Sequence, residues 1–140
     1  MHRQRRCGRT AGERGAAAVE FALVLPLLLL IIFAIIDFGR AFSAQVTLTE
    51  AAREGVRLAS LGQSDPAVVS RTEGAAAGLS PITVTVTGCG PGSGPGTDAV
   101  VDVKYVFSFD TPIGAIAGLF GSGFGSTATL SAQGVMPCET

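Results

Sequence analysis

The chain has 140 residues, room for about one domain, and its formal net charge of -1 hides a strong asymmetry. Residues 1–14 carry five arginines against Glu13, whereas residues 15–140 hold five basic and ten acidic side chains. A protein that tracks phosphates needs a basic face, and the bulk of this chain is acidic, so nucleic-acid binding is excluded.

The basic patch of Arg3, Arg5, Arg6, Arg9 and Arg14 ends where hydrophobicity begins. From Ala16 to Ile36, 21 residues are interrupted only by Glu20 and suffice as a helix to cross a hydrocarbon core of roughly 30 Å. Arginines before the span and acidic chain after it place the N-terminus in the cytoplasm and the C-terminal part outside. A buried core helix is the competing assignment, but sixteen consecutive apolar residues from Phe21 to Ile36 would consume most of the core of so small a protein. A removable secretory signal is the stronger rival, with small residues at Ala41, Ser43 and Ala44. Its apolar segment is usually shorter, and here helix-compatible sequence continues through Asp37-Phe38-Gly39-Arg40. Arg5-Arg6 lies in a generally arginine-rich stretch and is weak evidence for a twin-arginine signal.

Beyond the span, Phe38, Phe42, Val46, Thr49, Ala52, Val56 and Ala59 recur at spacings of three and four, the signature of one helical face. Arg40, Ser43, Thr47, Glu50, Glu54 and Arg57 fall on the other, with Glu50 to Arg53 and Glu54 to Arg57 spaced for i,i+3 ion pairs. The expectation is one helix from near Ala16 to near Ser60, weakened at Gly39 and Gly55, flexing at Gly39 and ended by Gly62. Ser64-Asp65-Pro66 predicts a cap with proline at the first helical position, opening a shorter helix through Val68, Val69, Thr72 and Ala76 that Gly78 closes.

The period then changes to two. Ile82, Val84 and Val86 alternate with threonines; Val101, Val103, Tyr105, Phe107 and Phe109 alternate with Asp102, Lys104 and Ser108; Ala128, Leu130 and Ala132 alternate with Thr127, Thr129 and Ser131. The fold class is therefore α+β: a long transmembrane helix running into a small exported domain with a short second helix and a three-stranded or slightly larger antiparallel sheet. The second strand, with the heaviest apolar side, belongs at the centre, and the helix after Phe38 covers the sheet. The organisation expected is 1–15 a basic cytoplasmic leader, 16–36 the span, 37–61 its exported continuation and 62–140 the exported domain. The tracts Gly88 to Gly96 and Gly118 to Gly125 read as flexible loops, since neither has the order of a dinucleotide fingerprint or a Walker loop. Phe120 and Phe124 fold back on the core or meet a partner.

Export predicts an oxidising compartment for Cys89 and Cys138, which follow the first and third strands; a bridge between them would clamp the sheet. Two free thiols or an intermolecular bond are the alternatives. Cys7 stays cytoplasmic and reduced. His2 is the sole histidine, so there is no ligand set for structural zinc and no histidine-based nucleophile system in the exported part; no cofactor and no catalytic activity are expected. Asp98, Asp102 and Asp110 read as solvated or capping acids.

Glu20 is the sharpest local feature, a carboxylate inside a membrane segment, where an unpaired charge is costly. An interfacial position near the cytoplasmic edge is its bland reading. Alternatively, a cut between Gly15 and Ala16 would remove the arginine-rich tail and create an amino group one turn from Glu20, near the positive end of the helix. The carboxylate would then pair with its own terminus or a neighbour's, fixing the axial register of packed helices.

The run Arg14-Gly15-Ala16-Ala17-Ala18-Val19-Glu20-Phe21-Ala22-Leu23-Val24-Leu25-Pro26, followed by Asp37-Phe38-Gly39-Arg40 and Ala51-Ala52-Arg53-Glu54-Gly55-Val56-Arg57, resembles the TadE-like family over residues 14 to 61. Its glycine-to-glutamate spacing is also similar to the processing site of type IV pilins. The resemblance implies a prepilin peptidase cutting after Gly15, Ala16 as the mature first residue, and Glu20 and Phe21 as the charged and aromatic positions used in assembly. It implies a non-catalytic minor pilin or pseudopilin of the tight-adherence (Flp-type) pilus machinery in the bacterial cytoplasmic membrane, with the exported domain outside or on a surface pilus. The implied partners are that peptidase, other pilin or pseudopilin subunits, tight-adherence secretion components and the lipid bilayer. A membrane-tethered envelope scaffold that docks secretion components and never enters a filament is the alternative. Past residue 61 the resemblance loosens to Val101-Asp102-Val103-Lys104-Tyr105 and Leu130-Ser131-Ala132-Gln133-Gly134-Val135-Met136. The two exported cysteines depart from members that lack them. Pro26 suits a helix that loosens locally within a bundle, and Ala16, Ala17, Ala18 and Ala22 permit close helix approach.

Overall fold

A computed structural model describes residues 10–90, 93, 96–110 and 127–139. His2, Cys7 and the arginines at 3, 5, 6 and 9 lie outside the described residues, as do Phe120 and Phe124 and much of both glycine-rich tracts. The order of elements is α1 (Thr10–Ser60), α2 (Asp65–Ala75), β1 (Ile82–Thr87), β2 (Asp98–Ser108) and β3 (Thr127–Pro137).

Helix α1 is 51 residues long and carries Pro26 inside it. Continuous apolar sequence, a proline the helix absorbs and no further breaker before Gly62 make one element of what are chemically two segments. It begins six residues earlier than Ala16, so the Gly15–Ala16 peptide is helical in this chain. The C-terminus closes as a Schellman turn: Gly62 takes φ +70°, its N–H donates to Ala59 C=O, and the Gln63 N–H donates to Leu58 C=O. Helix α2 opens at Ser64 with Pro66 in its first turn, but the Ser64 side chain makes no capping hydrogen bond. Gly78 turns the chain out of α2 at φ +88°.

The sheet has the order β1-β2-β3 with both pairings antiparallel, so the strand with the heaviest apolar side is central. Val84 pairs with Val103, which in turn pairs with Ala132, and all three point toward α1 and α2. The core contains Leu48, Ala52, Val56 and Ala59 of α1, Val68 of α2 and Ala99, Val101 and Val103 of β2, with Ile82, Tyr105, Leu130 and Met136 around it. The opposite sheet face is mostly threonine, serine and charged residues. There Gln133 donates to Asp102, its cross-strand partner, at 3.0 Å.

Small residues bring helix and sheet close. An added Cβ at Gly134 of β3 would lie 2.6 Å from the Ala52 carbonyl oxygen and 2.9 Å from Val56 Cγ1. At Gly55 it would collide with the Thr72 hydroxyl of α2 and reach within 3.2 Å of Val101 Cγ1. Gly55 thus does more than weaken a helix: it is where α2 and the sheet touch α1.

The apolar face that spacing marks on α1 is buried only in its second half. Ala52, Val56 and Ala59 are buried, but Phe38 is 73% and Phe42 63% exposed, and Val46 is exposed as well. Burial in the first half falls instead on Asp37, Ala44 and Leu48. Spacing identified an apolar stripe correctly but could not say that two faces share the work, one toward the sheet and one away from it. The ion pairs also differ. Glu54 receives a hydrogen bond from Arg71 of α2 at 3.0 Å instead of pairing with Arg57, and no Glu50–Arg53 ion pair occurs among the described residues.

Candidate functional site

Chain order places three features on α1: Gly15, Ala16, Glu20 and Phe21 near its start, the apolar span, and the junction where the helix meets the folded domain. Nearly every side chain from Gly15 to Ile36 is exposed; Leu25 and Phe33 are half-buried. The most apolar window of α1 buries nothing against the protein, so in water this surface would have no partner. Its length and composition suit a single membrane crossing, and it is the one such helix among the described residues. Glu20 and Phe21 are both exposed on this segment, and no ion pair of Glu20 occurs among the described residues. An added Cβ at Gly15 would meet nothing within 4 Å.

At the junction the geometry is specific. Asp37 is only 3% exposed although the apolar run has just ended. The Arg40 guanidinium sits one turn on, 3.7 Å from the Asp37 carboxylate and 2.6 Å from the carboxylate of Asp110, which follows β2. It also lies 5.6 Å from the ring centre of Phe107, and Phe107 meets Phe109 edge to face at 5.3 Å. Arg40 and Asp110 are each substantially exposed, so their pair is worth at most about 1 kcal/mol; its effect is positional. It ties the helix just past its apolar run to the end of the central strand. Gln45 adds a second tie, donating to the Ser131 carbonyl of β3 at 2.8 Å. Sequence reasoning left Arg40 on a solvated face and Asp110 at a turn. The two are 70 residues apart, and no local pattern connects them.

At the far end of the domain, Cys89 and Cys138 are joined in a disulfide. Backbone bonds reinforce that end: Cys89 N–H donates to Ala59 C=O, Glu139 N–H to Ser60 C=O and Cys138 N–H to Thr97 C=O. The strand ends and the C-terminus of α1 are therefore held at one place. Among the described residues no group of three or more histidine, cysteine or acidic side chains could hold a metal ion.

Residues 15–57 match the family described as TadE-like protein. Over this segment the chain is similar to TadE-like proteins. The matched stretch starts at Gly15, includes Glu20 and Phe21, crosses the junction at Asp37 and Arg40, and ends at Arg57 in the last turn of α1. No curated protein and no solved structure matches the chain. Helix α2 and the three-stranded sheet lie outside the TadE-like segment.

Proposed function

We propose that this chain is a TadE-like minor pilin or pseudopilin, made with a basic cytoplasmic leader (1–15), a span (16–36), an exported helical continuation (37–61) and an exported domain (62–140). A prepilin peptidase cuts between Gly15 and Ala16. The observation that carries the reading is that the TadE-like segment begins at Gly15 and contains a lone carboxylate, Glu20, exposed on a surface otherwise suited to lipid.

Within lipid an isolated carboxylate is expensive, and a cation on the same helix face relieves that cost. Once Ala16 is the first residue, its ammonium group lies one helical turn from Glu20, at the end of the helix where backbone N–H groups already favour negative charge. Pairing with the subunit's own terminus stabilises the free subunit in the membrane. Pairing with the terminus of a neighbouring subunit sets the axial register between packed helices. Phe21 fills space beside that contact. The disulfide and the Arg40–Asp110 tie keep the exported domain in a fixed relation to the helix, so register at Glu20 is transmitted to domain contacts outside.

The test is Glu20→Ala in the host. Insertion and abundance in the membrane are expected to be unchanged while pilus formation falls. Normal piliation in that variant would reject the register role and favour the scaffold that never enters a filament.

A further inference from the structure

We propose that the face of α1 bearing Phe38 and Phe42 is a one-sided extension of the membrane span, seated in the outer boundary of the bilayer, so that the exported domain sits directly on the lipid surface without a linker. The proposal rests on the membrane-spanning assignment and is independent of the processing step.

Three observations converge. The first is angular: at about 100° per residue, Phe38 and Phe42 share a sector with Ile31 and Ile35 of the span, while Asp37, Ala44 and Leu48, which the domain covers, lie about 110–150° round the helix from that sector's centre. Ile31, Ile35, Phe38 and Phe42 are all exposed, so one apolar face runs unbroken past the point where the sequence becomes polar. The second is axial. With Glu20 at the inner edge of the hydrocarbon, Phe38 lies about 27 Å and Phe42 about 33 Å along the helix, which brackets a hydrocarbon thickness of roughly 30 Å.

The third is chemical. At about 25 Å on the same scale, Asp37 would stand within the hydrocarbon, where a charge must be screened from lipid. Its burial at 3% exposure, with Arg40 beside it, supplies that screening from the domain side of the helix. The membrane boundary is thus oblique to the helix: one face is already protein at Asp37 while the opposite face is still lipid-facing at Phe42.

The chain contains no tryptophan, so single-tryptophan variants report position without background. Val24→Trp within the span, Phe42→Trp on the stripe and Val135→Trp on the outer sheet face all replace exposed side chains. Each full-length variant is placed in phosphatidylcholine–phosphatidylglycerol nanodiscs at one chain per disc. Quenching is read with lipids brominated near the carbonyl end of the acyl chains and with aqueous iodide. The expected result is bromolipid quenching and iodide protection for Val24→Trp and Phe42→Trp, with the reverse for Val135→Trp. If Val24→Trp is quenched by bromolipid but Phe42→Trp is open to iodide, the extension is wrong. Shielding of Phe42→Trp that occurs only when several chains share a disc would assign the stripe to a second copy and equally overturn the proposal. Failure of Val24→Trp to be quenched would instead remove the membrane span itself.

Discussion

Gly134→Ala tests the closeness of helix and sheet more sharply than any core truncation. The added methyl would sit 2.6 Å from the Ala52 carbonyl oxygen and 2.9 Å from Val56 Cγ1, closer than carbon atoms tolerate, and the first of these neighbours is backbone. Neither strand nor helix can yield locally. β3 is paired along its length with β2, and the facing stretch of α1, Ala52 to Val56, is regular helix held against α2 and the sheet by the buried Leu48, Val56 and Ala59. Relief therefore means separating α1 from β3, and overpacking of this kind costs about 1–3 kcal/mol. With a urea dependence of about 2 kcal/mol per molar, the unfolding midpoint should fall by about 1 M. Tyr105 is the sole tyrosine and packs against the core, and without tryptophan its fluorescence follows unfolding of the domain in mild detergent. Gly74→Ala is the matched control, because a Cβ there meets nothing within 4 Å; it should be neutral or stabilising by up to about 1 kcal/mol. Equal midpoints for Gly134→Ala and the unaltered chain would refute the close helix–sheet contact.

Leu48→Ala should cost about 2–5 kcal/mol in the same assay, whereas Phe42→Ala should stay within about 0.5 kcal/mol, since Leu48 is fully buried and Phe42 is not; the opposite order would restore the helical face expected from spacing. Reduction, or Cys89→Ser, opens a loop of sequence separation 49 and should remove about 4 kcal/mol by the chain-entropy relation, with unreduced chain resisting thiol labelling at both positions. Ready labelling of Cys89 and Cys138 in unreduced material would reject the bridge.

Much of this fold was legible because its signals are local. The alternation of valine and threonine in Ile82–Thr87, the weight of Val101, Val103 and Phe107, the Ser64-Asp65-Pro66 start and the glycine at 62 each report a backbone state within a few residues. The stripe of Phe38, Phe42 and Val46 was visible too, but its neighbour was not: apolar periodicity says that a face avoids water and is silent on whether sheet or lipid covers it. Gly55 and Gly134 reveal their role only when Thr72 and Ala52 stand opposite them. The Arg40–Asp110 tie depends on the whole path through α2, β1 and β2. Gly15, Ala16, Glu20 and Phe21 were found from spacing and resemblance, and the folded chain brings no other described residue to them. The roles proposed for them belong to an assembly outside the single chain.

The proposed cut after Gly15 sets a new N-terminus at Ala16. Intact-mass and N-terminal analysis of the protein purified from its host membranes reads it directly. The expected result is a chain of 125 residues beginning at Ala16. A chain that retains Met1 would contradict it in favour of a plain membrane anchor, and one that begins near Gln45 would replace the span with a conventional signal peptide.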